Sequence, residues 1–180
     1  SMGLTELPES IGQLTKLQKL DLGRNYSGKD EKPNQLTTLP ESLGQLTQLQ
    51  SLDLSDNQLT TLPESLGQLT QLKHYLFLAN NRLTILPQWI GNFVQLEVIS
   101  AWSNKISSLP DSIGNLIELD RLDFGDNNLS SIPESISNLL KLNTFALYSN
   151  QISDIPPFLA QLEHLDINLS SNPLNPELAE

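Results

Sequence analysis

The chain has 180 residues, 38% hydrophobic and 17% charged, enough apolar material for one folded core and too little charge for a disordered tail. Its 21 Asp and Glu against 10 Lys and Arg leave a net charge of −11, which repels nucleic-acid backbones and anionic membrane surfaces, so neither is expected as a partner. The absence of cysteine excludes disulfides, thiolate metal sites and a cysteine nucleophile, and two histidines, His74 and His164, leave little for a zinc site.

No run of about 18 to 20 apolar residues occurs, and no charged-then-apolar leader opens the chain, so no membrane insertion is expected. The start Ser1-Met2-Gly3 reads as the remnant of a cleaved tag on an excised fragment of a longer protein. A cytoplasmic setting is expected, with a secreted effector as the alternative.

The sequence repeats. Leu39 to Ser51 reads LPESLGQLTQLQS and Leu62 to Lys73 reads LPESLGQLTQLK. Prolines after a leucine or isoleucine fall at Pro8, Pro40, Pro63, Pro87, Pro110, Pro133 and Pro156, and asparagines keep the same beat at Asn34, Asn57, Asn81, Asn104, Asn127, Asn150 and Asn172. Aligned on them, each unit reads L-x-x-L-x-L-x-x-N-x-L-x-x-L-P-x-x-I/L-x-x-L-x-x. This pattern resembles the leucine-rich repeat, in its 23-residue LPxxIGxL variety. It is similar to plant intracellular Ras-group-related and Ras-suppressor-like proteins, and to bacterial repeat domains attached to Roco-type GTPases or carried by secreted effectors. The resemblance covers the whole chain as one domain, 1–180, of about seven repeats. It implies protein–protein recognition through a concave face and carries over no catalytic residue.

The residues fit that reading physically. L-x-L has the period of a strand with one buried face, and the Pro-led P-E-S-L-G-Q-L stretch suits a short helical turn with proline at its first position. One unit cannot bury its leucines, so units must stack, which gives an α/β solenoid with a parallel sheet on the concave side and short helical or 3-10 turns on the convex side. Each asparagine sits where the strand bends away, and its amide can both donate to and accept from backbone groups left there. Leu4 begins inside a repeat with no polar cap, so the terminal repeats need cover from neighbouring segments or from end-to-end self-association.

In chain order, the positions flanking the buried leucines of each strand should face the concave side. Repeat one presents Lys19, Asp21 and Gly23, then carries a nine-residue excess, GRNYSGKDEKPNQ, between Leu22 and Leu36. Being polar with Pro and Gly, this is a loop at about 26–34, read either as a side wall of the binding surface or as a tolerated insertion. Repeat two presents Ser51, Asp53 and Ser55, small and acidic as a solvated strand should be. Repeat three presents Tyr75, Phe77 and Ala79 and holds one extra residue between Leu72 and Leu76, so a late bulge would turn both rings inward. Repeat four presents Val98, Ser100 and Trp102, repeat five Arg121, Asp123 and Gly125, repeat six Thr144, Ala146 and Tyr148, and repeat seven Asp166, Asn168 and Ser170.

The central repeats therefore place large apolar groups where the fold has nothing to bury them against, and aromatics with Arg are the types enriched at binding hot spots. Tyr75, Phe77, Val98, Ser100, Trp102, Arg121, Asp123, Gly125 and Tyr148 are the expected protein-binding residues. Gly125, between Trp102 and Tyr148, should leave a notch roughly 10 Å wide for a partner side chain. The plainer alternative is that these aromatics only cover neighbouring strands. No nucleophile–base pair, metal cluster or cofactor motif emerges, so a non-enzymatic binding module is expected. A regulatory arm docking in cis on an attached enzyme, and a structural or adhesive array, are the alternatives.

Overall fold

The computed structural model describes residues 3–24 and 32–176. Seven parallel strands form one open sheet in strictly sequential order: β1 (Lys19–Asp21), β2 (Ser51–Asp53), β3 (Tyr75–Phe77), β4 (Val98–Ser100), β5 (Arg121–Asp123), β6 (Thr144–Ala146) and β7 (Asp166–Asn168). A five-residue 3-10 helix precedes each strand, from Glu9–Gln13 to Pro157–Gln161. The architecture is a curved leucine-rich repeat solenoid, with the sheet on one side and the 3-10 turns on the other. The inserted loop expected at about 26–34 falls mostly on residues 25–31, outside the described residues.

Each strand is only three residues long because one buried position, flanked by two outward ones, is all the repeat supplies. Leu52, Leu76, Ile99, Leu122 and Phe145 occupy that position and are essentially inaccessible. The next apolar position is filled by Leu54, Leu78, Ala101, Phe124 and Leu147, all fully buried. Phe93, Phe124 and Phe145 thicken the core in the later repeats. Burial of each such side chain contributes about 1.5–3 kcal/mol, and only stacking achieves it.

The prolines stand one position earlier than the sequence suggests. Pro8, Pro40, Pro63, Pro87, Pro110 and Pro133 are N-caps in extended conformation, with the helix starting at the next residue. Their role is to accept: the Pro40 carbonyl takes the Leu43 N–H at 3.1 Å, and Pro63 takes Leu66 in the same way. Close approach sets the helix sequence too. A Cβ on Gly44 would lie 2.4 Å from the Ser65 carbonyl oxygen of the next turn, so only glycine lets consecutive 3-10 helices stack this tightly.

The asparagines form a continuous ladder. Asn127 Nδ2 donates to the carbonyls of Ala101 (3.0 Å), Phe124 (3.1 Å) and Gly125 (3.1 Å), while its Oδ1 accepts the Ile106 N–H at 3.0 Å. Asn57, Asn81, Asn104, Asn150 and Asn172 repeat this arrangement on their own units. Asn34 does so across the insertion, donating to Leu22 and accepting from Leu4.

A feature not foreseen in the sequence precedes six of these side chains, all but Asn34. Asp56, Asn80, Ser103, Asp126, Ser149 and Ser171 all adopt a left-handed backbone, with φ between 52° and 57°. Asp, Asn and Ser tolerate this region better than bulky residues do. The turn aims the Asp126 N–H at the Tyr148 carbonyl (2.8 Å) and the Ser103 N–H at that of Gly125 (2.9 Å), extending the inter-repeat ladder beyond the strands.

Asn127→Asp tests the ladder. It keeps size and acceptor but removes both donors and sets a charge against three carbonyls, so unfolding by urea should show a loss of about 3 kcal/mol or more. Replacement of the exposed Asn128 should change stability by under about 0.5 kcal/mol.

Candidate protein-binding face

The register brings the expected site residues onto one side of the sheet. Ser51 pairs with Tyr75, Tyr75 with Val98, Val98 with Arg121 and Arg121 with Thr144; in parallel, Asp53, Phe77, Ser100, Asp123 and Ala146 align in sequence. The extra residue of repeat three does not turn the rings inward. It is absorbed before the strand at His74, which is exposed, with its Nδ1 3.7 Å from Glu97 Oε2. Leu76 is buried and both rings remain on the outward side.

Tyr75 and Phe77 stack on each other, ring centroids 4.4 Å apart and planes inclined by 17°. Ser51, small and buried, separates Tyr75 from Lys19 on β1, and the Lys19 ammonium reaches across to 5.9 Å from the Tyr75 ring. Hydrogen bonding and charge attraction from Tyr75 hold the Lys19 ammonium above its usual range. Trp102 is the most open of the face's aromatics, 36% exposed.

The notch expected at Gly125 is filled. A Cβ there would lie 2.1 Å from Tyr148 Cζ, because the Tyr148 ring folds back over the bare Cα of its neighbour instead of standing away from the sheet. For Tyr148 the plainer reading, an aromatic covering the adjacent strand, describes the geometry. Burial and the nearby Asp123 and Asp126 carboxylates push its hydroxyl above the ordinary tyrosine range.

The acidic column has a structural task that the sequence did not disclose. Asp21, Asp53, Asp123 and Asn168 each turn an Oδ1 onto the N–H two residues on, those of Gly23 (3.1 Å), Ser55 (2.9 Å), Gly125 (3.0 Å) and Ser170 (3.1 Å). The signal available was the position itself: an Asx residue two before the turn, where such bonds form readily. Burial raises the Asp53 and Asp123 carboxyls above the ordinary 3.8, against the lowering effect of these hydrogen bonds.

A concavity that the sequence missed lies on the other side of Trp102. A cavity of about 340 Å³ opens between Arg24 and Trp102, floored by Ser55 and Ala79 and edged by Asp53, Asp56, Phe77 and Ser100. Its sequence signal was two consecutive small residues, Ser55 and Ala79, in the column where Trp102 then stands tall. On the convex side Val94, Ile117 and Leu140 are exposed at equivalent positions of three successive repeats. Among the described residues, no three His, Asp or Glu side chains group closely enough to hold a metal ion, and no helix is long and apolar enough to cross a membrane.

The chain resembles known proteins at two levels. The sequence model of a leucine-rich repeat region matches residues 29–109, and that of a leucine-rich repeat matches 118–139. No curated protein matches the chain. Among solved structures, a leucine-rich repeat protein of Leptospira interrogans is 30% identical, with a TM-score of 0.72, over 98% of this chain and 48% of its own length. An internalin of Listeria monocytogenes is 27% identical, with a TM-score of 0.80, over 94% and 46%. A TDR receptor is 30% identical, with a TM-score of 0.83, over 95% and 29%. The chain thus spans about half the length of the first two and under a third of the receptor.

The burial of the two acids makes a prediction with a definite sign. Because their folded values lie above the unfolded ones, these carboxyls favour folding fully only below the unfolded value, and that contribution is lost as pH rises through the folded value. Asn168 shows that Asn makes the same turn. Asp53→Asn combined with Asp123→Asn should therefore raise the melting temperature at pH 7 by about 2 °C, a gain that disappears in melts near pH 3.

Proposed function

From a chain that belongs to the leucine-rich repeat proteins, we propose a recognition module that holds a protein or peptide partner against the concave face of its sheet. The observation that carries this reading is the set Tyr75, Phe77 and Trp102, aromatics on β3 and just past the end of the adjacent β4, on a face that the fold leaves open to solvent. Val98, Ser100, Arg121 and Asp123 continue the surface, and Gly125 with Tyr148 forms a flat shoulder where no side chain can insert. The internalin and receptor likenesses support a general protein-interaction role. The module works without catalysis, in the cytoplasm or, as the alternative, in a secreted effector.

A second reading makes the same face an arm that docks in cis on another part of a longer protein. It is favoured by the span of the similar structures, of which this chain covers 48%, 46% and 29%.

Affinity capture with mass spectrometry tests the face. The native protein and a convex control, Ile117→Ser with Leu140→Ser, should retain the same partner. Tyr75→Ala with Trp102→Ala should lose it by at least about tenfold, the scale of truncated hot-spot anchors. Loss by the convex control with retention by the concave variant overturns the proposal.

A further inference from the structure

We propose that the cavity between Phe77 and Trp102 receives a cationic side chain, lysine or arginine, of the partner; this rests on the reading of the concave face as the recognition surface. Three observations converge on the cavity. Its volume, about 340 Å³, matches the low end of sites that enclose a small group. Its lining sets two aromatic rings, Phe77 and Trp102, beside the small residues Ser55 and Ala79, which leave the space between the rings free for a guest. Among the described residues its charged lining is two carboxylates, Asp53 and Asp56, and the Arg24 guanidinium, and the charges that act on the Asp53 carboxylate are those of Asp21 and Asp56.

Each group discriminates among guests. Indole and phenyl faces attract a cation through their quadrupoles and do nothing comparable for an anion. Asp53 spends Oδ1 on the Ser55 N–H, and its burial makes a charge partner worth more there than on an open surface. Asp56 is steadied by the Asn80 amide at 2.8 Å. The net charge of −11 acts in the same direction over longer range, favouring approach of a basic segment and making capture sensitive to salt. An acidic guest gains from Arg24 but faces both carboxylates, and an apolar guest desolvates the carboxylates without bringing them a counter-charge.

The test uses capped tripeptides as probes against the isotopically labelled chain, with the indole N–H resonance of Trp102 as readout and that of Trp89, outside the cavity, as internal control. Acetyl-Gly-Arg-Gly-amide should shift the Trp102 signal saturably, with Kd in the millimolar range, and leave Trp89 in place. The Gly-Glu-Gly and Gly-Leu-Gly counterparts should not. Asp53→Asn, whose turn Asn168 shows to be compatible with the fold, should weaken the arginine probe by about two- to fivefold at low salt. Equal shifts from the glutamate or leucine probe, an arginine affinity unchanged in Asp53→Asn, or no shift at ~20 mM probe overturns the inference. Such a failure leaves the face reading standing if the Tyr75→Ala, Trp102→Ala variant still loses the captured partner, and falls with it if capture is indifferent to that variant.

Discussion

The structure depends on one recurring problem, the satisfaction of backbone groups where each strand ends and the chain turns away. The parallel strands are three residues long and all stop together, and unpaired buried N–H and C=O groups beyond them cost about 1–3 kcal/mol each. One asparagine per repeat resolves this. Its amide supplies two donors and an acceptor on a short stem, and Asn81, for example, uses them on Leu54 and Leu78 carbonyls and the Leu59 N–H at once. Aspartate lacks the donors, serine lacks the reach, and glutamine adds a rotor. Since every such bond lies within one unit or joins it to an adjacent one, the solenoid holds together by nearest-neighbour terms, and the sheet is as regular as the spacing of the asparagines.

That regularity explains what the sequence discloses. A period read from Pro40, Pro63, Pro110 and Pro133 places Leu52, Leu76 and Leu122 in the core and Tyr75, Phe77 and Trp102 outside it, because one register error would expose every leucine of the unit. What escapes the period is whatever depends on side-chain direction between repeats. Tyr148 and Trp102 hold equivalent positions, yet Tyr148 lies flat on Gly125 while Trp102 stands beside Ala79 and a cavity; the bare Cα on one side decides the difference, and no single unit contains both partners. The left-handed residues before six of the seven asparagines were equally hidden, since Asp126, Ser103 and Ser149 share a tolerance more than an identity. The carboxylates of the second column read as solvated strand positions in the sequence and are turn-makers in the fold.

Recognition surfaces on such a scaffold arise where framework demands are weakest. The outward positions of the central strands need only be compatible with water, and here they carry one stacked pair of rings, a cation held over one of them, and a cavity at their edge. The sheet beneath is stiff, so the rings are presented with little freedom left to lose on binding. The aromatic content, 6% of residues, thus serves several purposes: phenylalanines thicken the core, Trp89 packs against it, Tyr148 covers Gly125, and Tyr75, Phe77 and Trp102 face outward.

His74 shows how such an array tolerates irregularity. In the terms of a crystal, the additional residue is an interstitial defect, and its distortion ends within a single lattice row: Tyr75 still faces Ser51 on one side and Val98 on the other. The surface before the defect and the surface after it remain commensurate, so a ligand laid across repeats two to five meets one uninterrupted grid. The single extra residue is absorbed where the chain enters β3 and the longer excess where it leaves β1, and the spacing that a partner reads is conserved along the face even where the length of the unit is not.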